Sequence, residues 1–450
     1  MLNFLFTQTP LAFITQSFWR DEAFSFFLAK KNVIEIISLS LRDFNPPFYY
    51  LLLHFWLKIF GPSEISLRTF SFIFYWLTIY VVILFLTEIF KINVRKNSLF
   101  FIFYILLFIV NPVLSYYAFE ARNYALFAFF ASLSYYSFYS FEKTSSFAYK
   151  KNYKVYFFTT VLGLFTHYFM LFVVLSQLFF NYLINKKGRR YQIIKKITLK
   201  PLFIFLPWLF LTLSKNNFFT SSFWIERINF KTVVDLLGVV YTGYDGGFRS
   251  YSKSITWISL AILTLLLILL KKRDKKYSTD NHLQLYLGLW GIGVPFFIIL
   301  LSLLKPVFFP RYFIFSTVGL LLFFVYILEQ TRVEIRTIGL ILLFIIALNY
   351  QKIQIQHYKK KDFQKVVREI KVLAKKDDLV YVTSELDFFT AKYYFPNGKI
   401  YIFNKSYEQI PGFVGKVLIS KSDIAPSLPF YPNKAFVLKP DGSYTIQALY

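Results

Sequence analysis

Between residues 65 and 350 the chain alternates long apolar runs with short polar breaks. The runs fall at about 65–90, 98–115, 121–141, 154–184, 201–214, 255–270, 285–304, 312–330 and 337–350. Most approach the roughly 17–25 residues that cross the bilayer core as a helix. Residues 154–184 read as two short helices with a turn near Thr166-His167-Tyr168, because basic clusters flank both ends. That gives about ten spans. Residues 1–16 are apolar but too short to span, and read as the remnant of a first transmembrane helix or as an interfacial segment. Residues 22–40 place Phe24, Phe27, Leu28, Val33, Ile36 and Ile37 at helical spacing among Lys30, Lys31 and Glu35. This pattern predicts an amphipathic helix on the membrane surface. Pro46-Pro47 ends any helix before it, since the residue ahead of a proline disfavours the α region. Residues 48–60 form a second short helix, stopped by Gly61-Pro62.

Beyond residue 351 the pattern changes. Asp362 is placed to cap a helix that carries Phe363, Val366, Val367, Ile370 and Leu373 on one face. Alternating stretches at 379–383, 399–403, 416–420, 434–438 and 443–449 predict strands, with an Asp441-Gly442 turn before the last. The expected architecture is an all-α polytopic bundle, 1–350, of about 10–11 transmembrane helices. Surface helices occupy its first outer loop, and a small soluble extracytoplasmic α/β domain, 351–450, follows.

Charge orients the bundle. Basic clusters at 91–96, 143–154, 186–200, 271–276 and 332–336 occupy alternate loops, and the short loops opposite carry only Arg122, Lys305 and Arg311 as basic residues. By the positive-inside rule the first set is cytoplasmic. Residues 15–64, 215–254 and the tail then face outward from the cell membrane. The net charge of +27 thus belongs to loops, and does not imply nucleic acid. At 56% hydrophobic the chain exceeds the roughly 45–50% of soluble domains. It has no cysteine, which excludes disulfides and thiolate metal sites, and its four histidines are scattered. No cleavable signal peptide is read at the start: residues 1–16 lack a basic lead, and Gln8, Thr9 and Pro10 interrupt the run.

No charged residue lies in the middle of a predicted span. Arg68, Glu120, Arg122 and Arg311 sit at outer ends, and Glu88 and Glu329 at inner ends. Coupled transporters place ionisable groups near the midplane. Gathering them at one face favours chemistry at an interface over passage through the membrane.

The segment Trp19-Arg20-Asp21-Glu22-Ala23, followed by Asn45-Pro46-Pro47-Phe48-Tyr49-Tyr50, Phe60-Gly61-Pro62-Ser63-Glu64 and Leu67-Arg68, resembles the first outer loop of GT-C glycosyltransferases. The branch it is most similar to is family 39 with its bacterial relatives: protein mannosyltransferases, the aminoarabinose transferase of lipid A and transferases of lipopolysaccharide core sugars. Glu120-Ala121-Arg122-Asn123-Tyr124, Thr166-His167-Tyr168, Pro207-Trp208 and Pro310-Arg311-Tyr312 extend the likeness, as does the tail opening at Asp362-Phe363. Two features depart from the family. A full helix normally precedes the acidic pair, and a histidine often stands where Asn45 does; an amide does not titrate near neutral pH.

The resemblance implies inverting transfer of a sugar from a polyprenyl-phosphate donor to an acceptor hydroxyl on a glycan, lipid or protein. Inversion in one displacement needs a base for the hydroxyl and cations for the leaving phosphate. Asp21 is the expected base, although a helix cap is the bland alternative. Glu22 is the second catalytic candidate, or else a helix-start or ion-pair residue. Arg122 and Arg311 are expected on the donor phosphate, with Lys305 and His167 as weaker partners; snorkelling or a structural pair such as Arg122 with Glu64 or Glu120 competes. Asp43, Asn45, Tyr49 and Tyr124 are expected on the substrate, with Asp43 also readable as a turn residue. No cofactor is required. Asp21, Glu22 and Asp43 are hard oxygen ligands, so a divalent metal is possible but not indicated by their spacing. The segment 215–254, with Trp224, Glu226, Arg227, Asp235 and Gly243-Tyr244-Asp245-Gly246-Gly247, is expected either to close over the site or to be a plain surface loop. The rivals are a lipid-linked glycan flippase or transporter, and a non-catalytic scaffold presenting the tail.

Overall fold

The computed structural model describes residues 2–43, 45–143, 148–186, 188–215, 225–247, 249–274, 280–396 and 398–450. Trp224 and the rest of 216–224 lie outside the described residues. The chain opens with α1 (Leu2–Gln8) and a 3-10 turn at Pro10–Phe13. Three short helices follow: α2 (Arg20–Ala29), α3 (Val33–Ser40) and α4 (Phe48–Phe60). The predicted surface helix over 22–40 is thus two helices. Asn32 divides them, because its side chain caps α3 by accepting from Glu35 N.

The bundle comprises α5 (Glu64–Leu84), extended by a π turn, α6 (Ser98–Ile109), α7 (Pro112–Ala118), α8 (Tyr124–Lys143), α9 (Ala148–Leu164), α10 (Met170–Asn185) and α11 (Arg189–Lys215). After them come α12 (Phe230–Val234), α13 (Leu236–Thr242), α14 (Ser252–Lys271), α15 (Asn281–Gly288), α16 (Val294–Ser302), α17 (Ile314–Leu328) and α18 (Val333–His357). Each apolar run read from the sequence therefore falls on a helix or helix pair. Among the described residues six helices are long and apolar enough to cross a membrane, or seven if α6 and α7, bent by 59°, are one span. The bend sits at Asn111, whose side chain caps Val113 N and Leu114 N. The shortfall from ten has causes in the residues. Almost every side chain of α8 is buried, so Tyr and Ser are tolerated along it, and α9 and α10 are short. All of α17 is buried, as expected for a helix that is apolar all round.

Two helices touch almost backbone to backbone. A Cβ on Gly291 would stand 2.5 Å from Leu320 N, and one on Gly319 would stand 2.5 Å from Trp290. Trp290 is pinned there by its Nε1–H donating to Phe315 O at 2.8 Å and by stacking on Tyr135. Gly291→Ala is expected to lower stability by about 1–3 kcal/mol through overpacking against backbone that cannot retreat; thermal unfolding in detergent measures it.

Within 215–254 the lid reading is corrected for α13 alone; α12 has no buried residue, and Ile225 reaches the wall of a cleft described below. Every residue of α13 is buried in the bundle. Asn111 Nδ2 donates to Tyr241 O, Thr317 Oγ1 to Val240 O, and Tyr241 OH to Leu343 O. A segment tied to three other helices does not swing over a site.

The tail contains α19 (Phe363–Leu373), α20 (Phe388–Tyr394) and a sheet ordered β3-β2-β1-β4-β5. Its strands are β1 (Leu379–Val382), β2 (Lys399–Phe403), β3 (Ile424–Ala425), β4 (Ala435–Leu438) and β5 (Tyr444–Gln447). The last pairing is antiparallel and the others are parallel. Asp362 caps α19 as expected, and Phe363, Val367 and Ile370 are buried, while Leu373 is exposed. The predicted strand at 416–420 is instead a 3-10 turn, Lys416–Leu418. The chain must turn at Gly415 (φ 82), whose missing side chain makes room for the Phe24 ring of α2. The tail docks on α2: Phe389 meets Phe24 edge-on at 5.7 Å, and Tyr393 meets Phe26 at 5.0 Å. Loop helices and tail share one buried apolar cluster.

Candidate active site

The site is built on the first turn of α2. Glu22 is completely buried, and all its acceptor positions are taken. Arg68 donates Nε to Oε1 and Nη2 to Oε2, both at 2.8 Å, and Lys360 Nζ reaches Oε2 at 2.7 Å. Trp19 N and Ala121 N complete the set at 2.8 and 3.0 Å. The helix start is therefore capped by Glu22, and Asp21 is not the cap. Burial alone would raise the Glu22 pKa, but Arg68 and Lys360 outweigh it and hold the carboxyl well below the usual range. The expectation of a catalytic Glu22 is corrected: an enclosed, fully bonded carboxylate cannot take a substrate proton. It ties α2 to α5, to the turn before α8 and to the tail. Lys360 was missed, because Lys359-Lys360-Lys361 after the last span reads as a solvated charge run.

Asp21 lies on another side of α2. Its Oδ2 is 3.3 Å from Arg311 Nη1, with the aspartate side chain 41% exposed and the arginine 17%. Arg122 Nη1 approaches Ser25 Oγ at 3.3 Å, Tyr50 OH at 3.4 Å and Asp21 O at 3.5 Å. Ser25 follows Asp21 by one helical turn, so helical spacing alone could have found it. The Tyr124 ring stands 5.9 Å from each of the two guanidinium carbons, and Arg311 also lies 4.5 Å over Phe309. Tyr124 thus spaces the two arginines. The Nε atoms of Arg122 and Arg311 are buried without a protein partner, as is Glu120 Oε1. Burial raises the Glu120 pKa against the pull of Lys360 and Arg311. Arg122 pairs with neither Glu64 nor Glu120; Glu64 accepts from Gln364 and Tyr394.

Beside this cluster runs an apolar cleft of ≈ 310 Å³. Asp43, Asn45, His167 and Tyr312 line it together with Leu171, Phe172, Leu209 and Leu213 from α10 and α11. Asn45 holds the loop to its neighbours: Nδ2 donates to Asp43 Oδ2 at 3.3 Å, and Oδ1 accepts from Asn123 at 3.5 Å. His167 stacks on Phe127 at 4.6 Å, and its Nδ1 accepts from Phe169 N. Burial, with Arg122 beside it, lowers its pKa to about 3. His167 is therefore a neutral residue of the cleft wall: it brings no positive charge to a phosphate, and it can meet one only as a hydrogen-bond donor. Tyr49 is also corrected: it is buried against Tyr50 and Phe70 in the loop core, and Tyr50 is the one that reaches Arg122. Lys305 is partly exposed, two residues from Val307 of the cleft wall, and the Asp21–Arg311–Arg122 contacts are made without it. Among the described residues no three His, Asp or Glu side chains gather as metal ligands.

No protein-family model and no curated protein matches the chain. Solved structures do. ArnT from Cupriavidus metallidurans in the apo state is similar with a TM-score of 0.65 at 13% identity, over 96% of this chain and 91% of that one. The same protein bound to undecaprenyl phosphate gives a TM-score of 0.59 at 12% identity over the same shares. At this identity the likeness speaks to the fold alone: the chain has the architecture of these ArnT structures, a helical bundle with a small C-terminal sheet, as expected from the sequence.

Proposed function

We propose that the chain is an inverting glycosyltransferase that moves a sugar from a polyprenyl-phosphate donor to an acceptor hydroxyl at the outer face of the cell membrane. The acceptor is a glycan, a lipid or a protein. The observation that carries the reading is Asp21, half-open to solvent and paired with Arg311, standing beside Arg122 and next to an apolar cleft. The solved ArnT bound to undecaprenyl phosphate supports a lipid phosphate as the donor class. The asymmetric loop charges support the outward orientation.

In this mechanism the prenyl chain follows the cleft and its phosphate takes up the unpartnered N–H groups of Arg122 and Arg311. Arg311 then exchanges Asp21 for phosphate, which frees the carboxylate as a base. Asp21 takes the acceptor hydroxyl proton while the acceptor oxygen bonds to the anomeric carbon. The bond from that carbon to the phosphate oxygen breaks on the opposite side, so the configuration inverts. Polyprenyl phosphate departs with its charge held by the two arginines.

The test is a panel of labelled polyprenyl-phosphate sugars presented to membranes that contain the chain. Label is expected to pass from the lipid to an acceptor fraction for at least one donor. Label that only changes leaflet would favour a flippase, and no transfer from any donor would overturn the assignment.

A further inference from the structure

A groove of ≈ 790 Å³ separates the loop helices from the tail, on the far side of α2 from the site. Lys30 and Lys58 line it from the loop, Lys371 and Lys392 from the tail. At 100° per residue Lys30 points about 180° away from Asp21. Lys392 pairs with Asp423 at 3.2 Å. Lys30, Lys58 and Lys371 have no carboxylate partner among the described residues. Each instead stands over a ring, of Phe26, Phe55 and Phe395 respectively. The acid in the groove, Glu64, is engaged by Gln364 and Tyr394. Both donors are neutral, so Glu64 keeps its charge; with Lys392 offset by Asp423, three lysines face one carboxylate and the groove carries a net positive charge.

Its flank is apolar. Phe55 and Ile59, one turn apart on α4 and flanking the groove residues Leu57 and Lys58, are 53% and 73% exposed. In a chain with this many apolar helices, such a stripe belongs against lipid. Lys58 lines the groove and also stands over the ring of Phe55, so it joins the cationic groove to the apolar stripe. We propose that the groove holds the headgroup of an anionic phospholipid, clamped between loop and tail. The position opposite Asp21 argues against a soluble acceptor's phosphate as the occupant. The lipid ties the tail to the membrane surface whatever reaction the site performs.

The experiment uses the full chain, stripped of lipid in neutral detergent and titrated with phosphatidylglycerol or phosphatidylcholine under native mass spectrometry. Phosphatidylglycerol is expected to be retained at least tenfold better. The triple variant Lys30→Gln/Lys58→Gln/Lys371→Gln is expected to lose that preference while keeping its melting temperature in lipid-free detergent. Single Lys→Gln variants, should the triple not fold, are each expected to weaken the preference several-fold. No preference in the wild type, or an unchanged preference in all variants, would overturn the site. Glycerol 1-phosphate binding as tightly as the lipid would overturn the lipid as its occupant.

Discussion

Asp21→Asn is expected to cut sugar transfer by about 10²–10⁴-fold, the usual contribution of a positioned general base. That is roughly 3–5 kcal/mol of transition-state stabilisation. The amide matches the carboxylate in shape and still accepts from Arg311, but it cannot take a proton. The loss should fall on kcat. Donor binding should hold or tighten, because the anion that competes with phosphate for Arg311 is gone. The fold should survive, since a pair this open to solvent is screened and contributes about 0–1 kcal/mol. Steady-state transfer, donor titration and a melting curve separate these outcomes. Full activity in the variant would remove Asp21 from the chemistry.

Glu22→Gln is expected to lower stability by about 3–5 kcal/mol, the cost of breaking a buried ion pair on one side. Gln keeps the volume but leaves Arg68 and Lys360 facing one another without a counter-charge. Arg68 cannot relax into water, because its other N–H groups are already bound to Ile14 O, Gln16 O and Ser17 O. Activity should fall as well, since Ala121, whose N–H Glu22 anchors, immediately precedes Arg122. The pH dependence has a definite sign. The folded carboxyl titrates below its ordinary value of 4.5. Its contribution is therefore complete above that value and is lost only as pH falls through the lower, folded pKa. Wild-type stability should show no loss from this group on mild acidification, and the variant should lack the acid limb. Unchanged melting in Glu22→Gln would mean that the buried network carries little of the fold.

The bundle was legible because membrane spans write themselves as uninterrupted apolar length. The same rule failed for α13, whose seven residues are too few to register as a run yet are buried by packing from three helices. Asp21, Arg122 and Arg311 were legible through their place at span ends and in the first-loop motif, and they do converge. Glu22 and Tyr49 were misassigned for a common reason. Residue type advertises chemistry, whereas burial and partners decide whether it is available. Glu22 meets a lysine 338 positions away, a pairing no local pattern encodes. The strand expected at 416–420 has strand composition, but the close approach of Gly415 to Phe24 imposes a turn.

That 338-residue separation has a consequence for biogenesis. Helix α2 leaves the ribosome early, and Lys360 follows only after the last long helix. At about 5–20 residues per second the interval is roughly 17–68 s. Throughout it Glu22 has Arg68 but not its second cation, and the apolar face of α2 lacks its cover. A nascent bundle can therefore enter the bilayer while the candidate site is still loose, and translation of the final segment is what completes it. Chains truncated before Lys360 would be membrane-inserted but immature, and quality-control proteases would meet them with α2 undocked.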